Sequence, residues 1–108
     1  MNLKRIEILL QYIADDSTDT FSYYALALEY QALGDITKAI AQLQQLKINV
    51  PNYLPTYYTL GKLLEQNNDS DEAIINYKQG VVLARQLKDN KTLSELNEAL
   101  LLLDALDD

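Results

Sequence analysis

Ser17, Ser22, Ser70 and Ser94 offer hydroxyls of the kind used in acyl transfer, but the chain has no histidine to activate them. Without histidine, the commonest general base and the commonest transition-metal ligand are both missing. Cysteine is absent as well, which removes thiolate nucleophiles, disulfides and zinc–cysteine sites together. Asn67, Asp69 and Asp71 alternate as at the start of a calcium loop. That loop needs a glycine in its sixth place and a glutamate in its twelfth; no glycine stands in the first and Lys78 stands in the second. Gly34, Gly61 and Gly80 lie too far apart for a phosphate-cradling loop. Carboxylates are plentiful, yet no spacing singles out a catalytic pair. No catalytic residue, cofactor or metal site is expected, and an enzyme has no positive support.

Charge narrows the partners. Sixteen acidic and nine basic side chains give a formal charge of −7. A nucleic-acid backbone would repel such a surface unless its cations clustered, and Lys4–Arg5 is the one adjacent basic pair. Neither nucleic acid nor a membrane is expected as a partner; the acidic excess serves solubility. No apolar run approaches the roughly 20 residues that span a bilayer. The opening MNLKRIEILLQYIADD is interrupted by Glu7 and Gln11 and lacks a small-residue cleavage site, so an amphipathic helix fits better than a leader. A cytoplasmic location is the expectation.

The elements that position these residues are all helical. Leu3, Ile6, Leu9, Leu10 and Ile13 share one face of a first helix, and the polar run 15–20 breaks it. Phe21 to Leu33 is apolar on nearly every side, as in a helix sandwiched between neighbours. Gly34–Asp35 stops it and caps the next helix, whose inward set is Ile36, Ala39, Ile40, Leu43 and Leu46. Pro51 marks an exit, and Pro55 opens a helix running to about Gln66 with Tyr57, Leu60, Gly61, Leu63 and Leu64 inward. Asp69 with Glu72 reads as a capping box for a fifth helix that buries Ala73, Ile74, Tyr77, Val81, Ala84 and Leu87. Thr92 is the expected cap of a sixth, with Leu93, Leu96, Leu100 and Leu103 inward. Tyr12, Tyr30 and Tyr53 are expected to pack between repeats.

Self-similarity at a shift of 34 residues organises these helices. Tyr23 falls on Tyr57, Leu26 on Leu60, Ala27 on Gly61, Tyr30 on Leu64, Ala39 on Ala73, Ile40 on Ile74 and Leu43 on Tyr77. Helix pairs at that period, with these aromatic, small and large positions, resemble the tetratricopeptide repeat family. The resemblance implies an all-α right-handed superhelix. It divides one domain, 1–108, into an N-terminal helix and turn (1–19), repeat one (20–53), repeat two (54–87) and a C-terminal capping helix with its tail (88–108). It resembles short stand-alone bacterial members. Repeat two lacks the exit proline, since Arg85 stands there, so its second helix is expected to run long.

The same resemblance implies a protein or peptide partner in a concave groove lined by the first helix of each repeat. Carried onto this chain, it selects Phe21, Tyr24, Leu28 and Gln31 in repeat one, and Tyr58, Thr59, Lys62 and Glu65 in repeat two. Phe21, Tyr24 and Leu28 lie at i, i+3 and i+7 and form one stripe, separate from the stripe of Tyr23, Leu26 and Tyr30. Some family members grip a terminal carboxylate with a basic clamp; here Lys62 is the single cation at clamp-like positions, and an apolar or amphipathic ligand suits better. The alternatives are a self-associating homo-oligomer, or a stripe covered by the C-terminal helix.

Overall fold

The computed structural model describes residues 3–106. Six helices follow in order: α1 (Leu3–Asp15), α2 (Thr20–Ala32), α3 (Ile36–Asn49), α4 (Pro55–Gln66), α5 (Ser70–Leu87) and α6 (Asn90–Leu102). No strand occurs among the described residues. Packing separates into two compact units, divided between Thr56 and Tyr57 in the first turn of α4.

Aspartate starts most of these helices. Asp19, Asp35, Asp69 and Asp89 each turn a side-chain oxygen onto the backbone N–H three residues on, in Ser22, Lys38, Glu72 and Thr92, at 3.0–3.2 Å. Each satisfies a donor that the first helical turn leaves without a partner. Asp89 therefore caps α6, not Thr92, which donates to it through both its N–H and its hydroxyl. Those two hydrogen bonds, the N–H first, hold the Asp89 carboxyl below its ordinary range. At Asp69 only half of the capping box forms, because the Asp69 N–H donates to the Leu64 carbonyl.

Left-handed residues follow four of the helices, α2, α4, α5 and α6. Gly34, Asn68, Lys88 and Asp104 all have positive φ. After each, the next N–H reaches back to a carbonyl five residues earlier: Asp35 to Tyr30, Asp69 to Leu64, Asp89 to Ala84 and Ala105 to Leu100. Gly34 and Asn68 are equivalent in the 34-residue register, so the turn inside the two repeats is the same turn.

In the first unit, α2 packs against α1 and α3. Ile6 and Leu9 of α1 meet Ala25 and Leu26 of α2, flanked by Ile13, Tyr30 and Leu33. Asn49 closes the far end of α3: its amide donates to the Tyr23 hydroxyl at 2.8 Å and to the Ser17 carbonyl at 3.1 Å. In the second unit, Gly61 lies against the Tyr77 ring, and Gly80 against Tyr57 and Leu96. α5 is the longest helix, as the missing proline implied. Three buried polar side chains, Ser22, Thr56 and Asn76, have no counterpart in the apolar pattern.

Several inward assignments fail at the ends of the array. Leu3, Leu10, Tyr12 and Leu87 are exposed. Leu3 and Leu87 are the first residue of α1 and the last of α5, one turn beyond the buried Ile6 and Ala84, while Leu10 and Tyr12 lie off the Ile6–Leu9 face; periodicity alone does not say which stripes are covered. The same is true of α2: Phe21 and Leu28 stay exposed while Tyr23, Ala25, Leu26 and Ala27 are buried.

Candidate functional site

Three of the four residues selected in repeat one come together. Phe21, Tyr24 and Leu28 line a hollow of about 450 Å³ with Thr20, Ala25, Glu29 and Ala32 of the same helix, Arg5 of α1 and Tyr53 of the α3–α4 loop. The one-turn spacing along α2 aligns the three side chains; Phe21 is 69 % exposed and Leu28 49 %. Tyr24 is half-buried because Tyr53 stands edge-on to it, with ring centroids 6.4 Å apart at 82°, a favourable arrangement for the ring quadrupoles. Gln31 belongs to the same helix but not to this lining.

Two features of the hollow escape the apolar pattern. Arg5 Nε lies 3.1 Å from Glu29 Oε1, so an ion pair joins α1 to α2 at its edge. The Glu29 side chain is the more covered partner, at 16 % exposure against 54 % for Arg5. Tyr53, placed between repeats by its sequence, is a wall of the hollow. Arg5 had a legible signal: the 34-residue register puts it where Ala39 and Ala73 stand.

The repeat-two residues form a different arrangement. Tyr58 and Lys62 of α4 line a hollow of about 90 Å³ with Glu95, Glu98, Ala99 and Leu102 of α6, so the C-terminal helix walls the groove positions of this unit. Lys62 Nζ sits 5.3 Å from the Tyr58 ring centroid, 5.9 Å from that of Tyr77 and 3.8 Å from Glu65 Oε2. Tyr58 and Tyr77 are themselves 6.1 Å apart. The lysine is thus held by two rings and a carboxylate. Glu65 is absent from the lining; it accepts a hydrogen bond from the Tyr77 hydroxyl. Burial first, then this hydrogen bond and the Glu65 charge, push the Tyr77 phenol far above its ordinary range. Thr59 is half-buried outside the lining.

A tetratricopeptide repeat model matches residues 22–47 and 54–87. The chain belongs to the tetratricopeptide repeat family. The all-α repeat fold implied by the register is the fold observed. A tetratricopeptide repeat domain protein from Salinibacter ruber is 40 % identical in its crystal structure, which covers 82 % of this chain and 99 % of that one, with a TM-score of 0.74. The solution structure from the same organism gives 40 % identity, coverage of 85 % and 93 %, and a TM-score of 0.77. The crystal structure of the MamA protein is 25 % identical over 78 % of this chain and 46 % of that one, with a TM-score of 0.69. No curated protein matches the chain. Tetratricopeptide repeats generally mediate protein–protein interaction, and proteins of this fold are typically interaction modules rather than enzymes. Among the described residues no helix is long and apolar enough to cross a membrane, and no cluster of acidic side chains is arranged to hold a metal ion. Asp69, from the apparent calcium loop, is a helix cap instead.

Proposed function

We propose that this protein binds another protein by taking apolar side chains of a peptide or helix into the hollow of Phe21, Tyr24, Leu28 and Tyr53. The observation that carries the reading is an exposed aromatic and aliphatic stripe lining a concavity, where water is displaced on contact and aromatic anchors dominate affinity. The second-unit residues Tyr58 and Lys62 have a weaker case, since Lys62 is already engaged by Tyr58, Tyr77 and Glu65. An adaptor role in the cytoplasm fits this reading.

Affinity capture with the parent chain and with Tyr24→Ala, compared side by side, tests it. Tyr24 is half-buried at a rim, so the variant folds, as a circular dichroism melt should verify. Proteins held through the hollow fall away with Tyr24→Ala, and affinity drops about 10-fold or more, as expected for truncation of a central aromatic contact. An unchanged set of captured proteins defeats the assignment of the hollow.

A second reading, association between copies, draws on Leu101 and Leu102, adjacent and exposed on α6. Light scattering separates the two: a dimer that dissociates in Leu102→Glu supports association, and a monomer at high concentration removes it.

A further inference from the structure

The two units treat the carboxylates of their hollows differently. In the first unit the one carboxylate on the lining, Glu29, is met by the chain's own Arg5 at 3.1 Å. In the second unit α6 brings Glu95 and Glu98 to the lining, together with Tyr58 and Lys62 of α4. Both glutamates are exposed, and among the described residues neither enters an ion pair or a hydrogen bond. They stand three residues apart, so they are neighbours on one helical face, where like charges repel. Lys62 pairs elsewhere: its ammonium lies 3.8 Å from Glu65, which is off the lining, and rests against the rings of Tyr58 and Tyr77. The small hollow thus carries negative charge that no described cation pairs. Leu102, 75 % exposed, continues the same stripe one turn beyond Glu98.

We infer that the hollow between α4 and α6 receives an arginine of a partner protein, carried one helical turn from an apolar residue that covers Leu102. Charge complementarity chooses the sign. Two carboxylates on one lining, in a chain of net charge −7, draw a cation and turn away an acidic segment. Donor geometry chooses arginine over lysine. An ammonium is a compact, strongly hydrated charge, whereas a guanidinium spreads five donors over a planar fork and sheds water more readily. That fork can bond both carboxylates at once with charge-assisted hydrogen bonds. Its flat face also stacks on an aromatic ring, and Tyr58 is a wall of the hollow. Lys62 shows the same chemistry within the chain: a cation held against the Tyr58 ring beside a carboxylate. Size agrees, since a hollow of about 90 Å³ admits the head of one side chain, against about 450 Å³ in the first unit. This contact goes beyond the Phe21–Tyr53 hollow and stands or falls apart from it.

The probe is a synthetic peptide of about 15 residues, long enough to hold a helix. It is built of alanine and glutamine with one arginine and, a turn away, one leucine. It is titrated into the isotopically labelled full chain, and dissociation constants are read from the amide shifts of Tyr58, Glu95, Glu98 and Leu102. Citrulline in place of the arginine keeps the shape and removes the charge; it should bind about 10-fold more weakly, the size expected for hydrogen bonds to a charged group. Lysine should fall between the two. Glu95→Gln with Glu98→Gln should abolish the difference between the arginine and citrulline peptides, and both positions are exposed, so the fold persists. Glu7→Gln with Asp71→Asn removes the same charge from exposed sites off the hollow and should leave the difference intact. No shifts at the four residues, equal affinity of the arginine and citrulline peptides, or a lysine peptide that binds tightest overturns the inference. An equal loss in the Glu7/Asp71 variant overturns it by reducing the attraction to net charge. Loss of binding on Tyr24→Ala overturns it by placing the peptide in the first-unit hollow. Constants unchanged by Tyr24→Ala support it, whatever affinity capture says of that hollow.

Discussion

A methyl group on Gly61 would fall inside the Tyr77 ring, 2.6 Å from Cζ. In repeat one the equivalent pair is Ala27 and Leu43, a larger residue on one helix and a smaller one on the other. Gly61→Ala should therefore destabilise the protein by about 1–3 kcal/mol through overpacking. Gly61→Ala with Tyr77→Leu, which recreates the repeat-one pair, should recover much of that loss, and a double-mutant cycle from urea melts measures the coupling. Tyr77 also sets an alkaline limit. Its folded-state pKa is raised above the ordinary 10.0, so its contribution is present in full below pH about 10 and is lost as pH rises beyond it. The urea midpoint of the parent should fall between pH 9 and pH 11, and Tyr77→Phe should flatten that fall. Tyr57, raised by burial, leaves a residual slope. Thr56 has a buried hydroxyl with no hydrogen-bond partner. Thr56→Val should raise stability by about 1 kcal/mol, read as a higher melting temperature. Gly61 and Tyr77 were legible because periodicity turns both inward and the register sets them on Ala27 and Leu43, a small and a large residue. Thr56 was not, because a hydroxyl in a first helical turn reads as solvent-facing.

At the scale of the element, caps and stops explain both where the helices fall and part of the acidic composition. Four aspartates hold helix N-termini, and the residue before three of them, Gly34, Asn68 and Lys88, takes the left-handed conformation. Gly34–Asp35 is readable because glycine announces that conformation; Lys88 announces nothing, and the cap of α6 is Asp89 where the sequence points to Thr92. A lysine at positive φ is strained where a glycine is not. Lys88→Gly should stabilise the protein by about 0.5–1 kcal/mol, seen as a later thermal midpoint. Tyr12 and Tyr53 mark the other limit of legibility. Periodicity assigns a residue to a stripe, but the cover over that stripe is a fact about another helix. At α1 the cover is absent among the described residues, and Tyr53 reaches Tyr24 from a loop 29 residues away.

At the scale of the whole chain, stability in a repeat array is a sum of nearest-neighbour terms, and the terminal helices close the last interfaces. α6 buries Leu96, Ala99 and Leu100, and Leu96 lies against Gly80 of α5. A chain ending at Lys88 should lose several kcal/mol on these side chains alone, and should unfold at lower urea or associate through the uncovered face of α5. Size-exclusion chromatography with a urea melt checks both outcomes.

The facing sizes across Ala27/Leu43 and Gly61/Tyr77 also limit how such a chain can recombine. A crossover near residue 53, between repeats, carries each matched pair across intact. A crossover at the turn inside a repeat would set the Ala27 methyl against the Tyr77 ring, or leave a void between Gly61 and Leu43. Gene duplication and shuffling are thus expected to succeed in whole helix pairs and to fail in single helices.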